Sequence, residues 1–176
     1  MNYLVGLPTT NQGLVWIDSS QWGSLRYAGN FAMFAMQAGH IGIMPEEAFN
    51  FAEQQMNYAL GDAGHSYVCG FGNSPPQRPH HRAASCPGPG QSCGWDYYYS
   101  SAPNNHDLKG ALVGGPNHED QWADDRTNYA VSIVLHIFTV FINIYYFRQM
   151  RLQQITMLDS KLLLLVSIKL SIKKEI

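Results

Sequence analysis

The residues with the clearest chemical potential lie in "PPQRPHHRAASCP", positions 75–87. Prolines stiffen the backbone on either side of His80, His81 and Arg82, and a rigid loop that presents donors and a charge is built like a site rather than a connector. Downstream, Asp124, Asp125 and Arg126 form a compact "DDR". Trp22, Trp95, Trp122 and the run Tyr97 to Tyr99 supply flat apolar faces around these polar groups. Rings interleaved with His, Arg and Asp suit a sugar, whose CH faces stack on aromatics while its hydroxyls take directional hydrogen bonds. Each feature also has an ordinary structural reading. A tryptophan in a Gly/Pro-rich region can be a packing anchor, and "DDR" can be a helix cap with a local ion pair.

Cysteine usage leaves three readings open. Cys86 and Cys93 stand seven positions apart, and Cys69 lies seventeen upstream of Cys86. They fit one small loop disulfide with a leftover thiol, as in secreted proteins, or three free thiols. A zinc site from His80, His81, Cys86 and Cys93 is the third, although the spacing matches no common zinc pattern.

Two helices must position this chemistry. Residues 21–42 place Leu25, Ala28, Ala32 and Ala35 at helical spacing, with Gly39 and Gly42 as closing residues. Residues 44–62 carry Pro45 in the first turn, Glu46 and Glu47 at the positive end of the dipole, an apolar stripe through Phe49, Ala52, Met56 and Ala59, and Gly61 as a stop. The short link predicts an antiparallel pair. From 61 to 117 the rhythm gives way to glycine and proline, yet the aromatics there predict an ordered loop. Asp124 or Asp125 is expected to cap a helix running through Tyr129.

Composition breaks at 132/133. Residues 1–132 hold 5 Lys+Arg against 11 Asp+Glu, and residues 133–176 hold 6 against 2 and lack Gly, Ala, Pro, Cys and Trp. The net charge of −2 excludes a basic nucleic-acid-binding face. The N-terminal "MNYLVGLPTTNQGLVW" has no basic n-region or apolar core and does not read as a signal peptide.

Longer motifs now bear on identity. "SYVCGFGNSPPQRPHHR" (66–82) resembles the histidine signature of glycoside hydrolase family 9, the endoglucanase or cellulase family, and "GALVGGPNHEDQWADDRTNYA" (110–130) is similar to the start of its second signature. "QWGSLRYAGN" and "ALGDAGHSYVCGFG" also match, so the likeness covers residues 12–132 and is nearest to the animal branch. The resemblance implies an all-α fold, a fragment of an (α/α)6 barrel with long loops carrying the site. It implies inverting hydrolysis of internal β-1,4-glucosidic bonds in cellulose. It places His80 and Asp124 among the catalytic-site residues, and Arg82, Trp22, Arg26, Tyr27, Asp125 and Arg126 among those that bind the glucan. No cofactor or metal is expected here; calcium, bound by family members, would use ligands outside this sequence. An extracellular location follows from the family.

The same resemblance exposes two gaps. The family's general base comes from a "DAGD"-like stretch with no counterpart here; "GDAGHS" at 61–66 is a different motif. Its general acid, a glutamate nine residues after the first Asp of the second signature, falls on Ile133. Residues 1–132 thus read as part of a catalytic domain and 133–176 as an atypical tail of a truncated or misassembled product, inactive and short of partners for its apolar helix faces. Two alternatives follow: a non-catalytic carbohydrate-binding remnant, or a membrane-anchored protein spanning at 129–147 with a basic amphipathic segment at 161–174.

Overall fold

The computed structural model describes residues 6–17 and 22–135. The chain divides into two compact units, Met1–Phe141 and Ile142–Ile176, and every described residue belongs to the first. The division falls past the compositional boundary at 132/133. The proposed segment at 161–174 lies outside the described residues, as do residues 136–147 of the proposed membrane span.

Helix α1 (Ser24–His40) and helix α2 (Pro45–Asn57) form the expected pair. They pack against each other, and their buried residues are mostly alanine: Leu25, Ala28, Ala32 and Ala35 from α1, Ala48, Ala52 and Met56 from α2. Alanine at these positions lets the backbones approach closely while keeping helix propensity high. Gly39 does not end α1 as expected. It lies inside the helix, where an added Cβ would sit 2.9 Å from the Phe49 ring, so its role is to admit α2. The turn comes at Gly42, with φ of +86°. Pro45, Glu46 and Glu47 occupy the first turn of α2 as predicted. Beyond it comes a π-helical turn (Tyr58–Asp62), broken from within by Gly61 at φ of +125°. Phe34, Ile41 and Ile43 remain exposed around the α1–α2 turn.

Gln55 pins the N-terminal strap onto α2. Its buried amide accepts from Val15 N–H at 2.8 Å and donates to Gly13 O at 2.9 Å. Asp120, a non-glycine residue at φ of +59°, holds the other side: its carboxylate accepts from Gln12 N–H and from the Tyr58 hydroxyl.

The long segment after Gly61 is ordered, with two helical turns, α3 (Arg82–Ser85) and α4 (Trp95–Tyr99). Strand β1 (Leu112–Val113) pairs antiparallel with β2 (Val134–Leu135), in the register Leu112 to Leu135 and Val113 to Val134. Single bridges add Val68 beside Leu112 and His80 beside Ile133. The expected helix from Asp124 through Tyr129 is displaced: helix α5 is Tyr129–Ser132 and carries no side-chain cap. Its chain then turns extended at Ile133, so residues 129–135 are not a continuous helix. No helix among the described residues is long and apolar enough to cross a membrane.

An aromatic cluster, buried at Tyr58 and Tyr67, joins α2 to the loops. Tyr58 stacks on Tyr67, and His65 packs between Tyr67 and Trp122. Burial pushes the Tyr67 hydroxyl up to about 12 and holds the His65 imidazole below its ordinary 6.5. His65 Nε2 is buried with no hydrogen-bond partner among the described residues, so a proton added there meets no acceptor. A depressed histidine value means the folded state favours the neutral ring. Stability is therefore full above about pH 6.5 and falls as pH drops through the folded-state value. The expected result is a thermal midpoint that declines from pH 7.5 to pH 5 more steeply for the native chain than for His65→Phe. Parallel curves for the two proteins would refute this assignment.

Candidate carbohydrate-binding groove

His80 is held on three sides. Its backbone N–H donates to Ser132 O at 2.8 Å, which sets the bridge to Ile133. Its Nδ1 lies 2.7 Å from Arg126 O. A carbonyl oxygen only accepts, so Nδ1 carries the hydrogen and Nε2 is left for a ligand. Its ring packs against Tyr98 at 6.0 Å and Tyr129 at 6.2 Å. Arg82 begins α3, which His81 caps by accepting from Ala84 N–H through Nδ1. The Arg82 guanidinium is exposed and has no partner among the described residues.

His80, Arg82, Ser85, Trp95 and Tyr98 line one groove of about 440 Å³. Trp22, Arg26 and Tyr27 form a neighbouring cluster at the start of α1. The Arg26 guanidinium donates to Trp22 O at 3.0 Å and to the Tyr27 hydroxyl at 3.3 Å, and lies 4.9 Å from the Tyr27 ring centre. Tyr129 links the two groups, because its ring meets Trp22 at 5.0 Å as well as His80. The structure thus brings Trp22, His80 and Arg82 into one connected surface.

The "DDR" residues are engaged by the protein's own loops. Asp124 accepts from the backbone N–H groups of Gln77 and Arg78, at 2.8 and 3.0 Å, and so anchors the loop that carries His80. Asp125 accepts from the N–H and hydroxyl of Thr127, both at 2.9 Å, and these bonds hold its carboxyl below the usual carboxylate range. It closes a turn, not the helix expected from the sequence. Arg126, expected among the glucan-binding residues, also has a structural task. The residue lines the groove but is only 3% exposed, and its guanidinium donates to Asn104 Oδ1, Tyr97 O, Ser100 O and Ala102 O. Its charge is spent on holding the loop. Trp122 is likewise a packing anchor, wedged against His65 and Tyr67 with its N–H donated to Val131 O.

Sequence reasoning missed Asn104 and Tyr129. Asn104 accepts from Arg126 and donates to Pro79 O, joining the 97–104 loop to the His80 loop. Nothing in "SAPNNHD" marks it out, since its partners lie more than twenty residues away. Of the cysteine readings, the disulfide holds: Cys86 is bonded to Cys93, and Cys69 is a buried free thiol. Both sulfurs of the suggested zinc set are thereby consumed. No three His, Cys, Asp or Glu side chains converge as a metal site among the described residues.

The sequence profile of the family described as Glycosyl hydrolase family 9 matches residues 2–134. The chain belongs to that family. Endoglucanase A of Bacillus pumilus is 42% identical over 127 residues, covering 68% of this chain and 18% of that protein. The endoglucanase of the termite Nasutitermes takasagoensis superposes with a TM-score of 0.78 at 41% identity, over 86% of this chain and 35% of that one. CelQ of Clostridium thermocellum, an endoglucanase solved with cellotetraose, gives 0.68 at 34% identity over 81% and 23%. The family 9 chain thus spans about a third or less of the length of these relatives. The all-α reading, a piece of an (α/α)6 barrel with its site on long loops, agrees with these matches, and the termite match agrees with the animal-type motifs.

Proposed function

We propose that residues 22–133 form one wall of the β-1,4-glucan groove of a family 9 endoglucanase, and that this chain alone holds the glucan without cleaving it. The observation that carries the reading is the shared groove of His80 and Arg82. The imidazole Nε2 and the guanidinium are both without protein partners among the described residues, and aromatic rings flank them. A glucan chain offers CH faces to such rings and hydroxyls to such polar groups. The complex of the relative CelQ with cellotetraose supports this choice of ligand.

The inactivity follows from chemistry at position 133. Inverting hydrolysis needs a carboxylic acid to protonate the leaving oxygen and a carboxylate to activate water. The position that the family signature assigns to the acid carries the hydrocarbon side chain of Ile133, bridged through its backbone to His80. A general acid contributes on the order of 100- to 10,000-fold to rate, and a hydrocarbon has no proton to give. No cofactor enters this reading. The Cys86–Cys93 disulfide supports an oxidising, extracellular setting.

Two measurements on the purified full chain test the reading together. Calorimetric titration with cellopentaose is expected to show binding, and a reducing-sugar assay on carboxymethylcellulose is expected to show no release. Absence of binding would overturn the glucan site. Measurable sugar release would overturn the inactivity and leave the site standing.

A further inference from the structure

Charge is gathered unevenly around the groove. Residues 1–132 hold 5 Lys+Arg against 11 Asp+Glu, yet four of the five basic residues stand in or beside it. Arg82 and Arg126 line the groove, Arg78 lies on the loop that carries His80, and Arg26 belongs to the neighbouring Trp22 cluster. Lys109, the fifth, lies beside Gly70 instead. No Asp or Glu among the described residues lines the groove. At the position where the family signature has an acid, Ile133, bridged to His80, brings no charge. A stretch of acidic composition thus carries a cationic groove.

Part of that charge is matched from within. Arg78 and Arg126 feel the opposing fields of Asp124 and Asp125. Arg82 has no such match. Its side chain is exposed and forms no ion pair among the described residues. Asp96, in the first turn of α4, is exposed as well and forms no pair with it. We propose that the groove selects a β-1,4-glucan chain bearing carboxylate groups, such as glucuronate residues, over the neutral chain, and that Arg82 is the residue that selects it; this rests on the glucan reading above.

A carboxylate takes two parallel N–H···O bonds from a guanidinium, each roughly twice as strong as a neutral hydrogen bond. A neutral sugar offers only hydroxyls, which carry no charge. His80 Nε2 and the flanking rings hold the sugar ring in either case, so the carboxylate adds to the glucan contacts rather than replacing them. The acidic residues beyond the groove repel a loosely bound polyanion. The gain is therefore confined to a chain seated with a carboxylate at Arg82. Because Arg82 is exposed, salt screens the pair: the Debye length shrinks from about 30 Å at 0.01 M to about 3 Å at 1 M.

Calorimetric titration of the full chain tests this, with cellopentaose and with cellopentaose oxidised at C6 to glucuronate, in low salt (about 0.01 M) and high salt (about 1 M). The oxidised chain is expected to bind about tenfold tighter in low salt, about 1.4 kcal/mol, and within about threefold in high salt. Arg82→Gln is expected to bring the two affinities within about twofold, at an unchanged melting temperature because the side chain is exposed. Arg82→Lys is expected to keep part of the preference, since it keeps the charge and loses the fork, and Lys109→Gln to keep all of it. Equal affinities for the native chain in low salt would overturn the preference and leave the glucan reading standing. A preference that survives in Arg82→Gln would overturn the role of Arg82. Free glucuronate binding as tightly as the oxidised chain would overturn the polysaccharide as the ligand. A native chain that binds neither oligosaccharide would overturn the glucan reading and this proposal together.

Discussion

Arg126→Ala lowers the stability of the domain by about 3–5 kcal/mol and abolishes cellopentaose binding, the largest loss expected from any single loop residue. The guanidinium reaches four acceptors in the 97–104 segment, at 3.0, 2.7, 2.7 and 2.6 Å. Alanine leaves those oxygens facing a void in which each unsatisfied buried group costs about 1–3 kcal/mol. The backbone carbonyl of the same residue receives the His80 Nδ1 hydrogen, so both ends of Arg126 serve the groove. Arg126→Lys recovers only part of the loss, since one ammonium cannot span the fork. Urea titration followed by circular dichroism measures the effect. A midpoint for Arg126→Ala within error of the native value would refute the clamp.

Asp124→Ala has the second largest expected effect, divided between stability and binding. Its carboxylate holds the N–H groups of Gln77 and Arg78, three and two positions before His80. Removing it costs about 1–2 kcal/mol, less than for Arg126 because the Gln77 bond is exposed to water, which partly replaces it. The binding loss is of similar size, about tenfold in Kd for cellopentaose, because the imidazole is no longer held in register with Arg82. Asp124→Asn keeps one acceptor oxygen and is expected to fall between the two. If Asp124 instead touched the sugar directly, Asn and Ala would weaken binding without moving the unfolding midpoint.

Much of the architecture was legible because it depends on local rules. The α1 and α2 stripes follow from helical spacing, and the short link between the helices already implied that they pack together. Pro45 with Glu46 and Glu47 marked the start of α2 from steric and dipole effects alone. The histidine signature likewise led to His80 and Arg82 without coordinates. The failures share a different cause. Gly39 looks like a stop in one dimension, and only the Phe49 ring shows that it is a contact. Strands β1 and β2 are two residues each, too short for any alternating pattern to register. "DDR" looks solvated because charged residues usually are; the acceptors that bury Arg126 come from residues 22 to 29 positions earlier.

By itself the sequence determined the family, the two helices, the residues able to contact a sugar and the hydrocarbon at position 133. These depend on side-chain chemistry and near-neighbour spacing, which the order of residues states directly. The tertiary structure alone decided which of the polar residues stay available. Arg126 and Asp124 are engaged by groups brought to them by loop closure, and Asp125 by Thr127 two residues on, while His80 Nε2, Arg82 and the rings of Trp22, Trp95 and Tyr99 keep no such partner among the described residues. That allocation comes from hydrogen-bond satisfaction across long loops, a property of distances in space that no local pattern encodes.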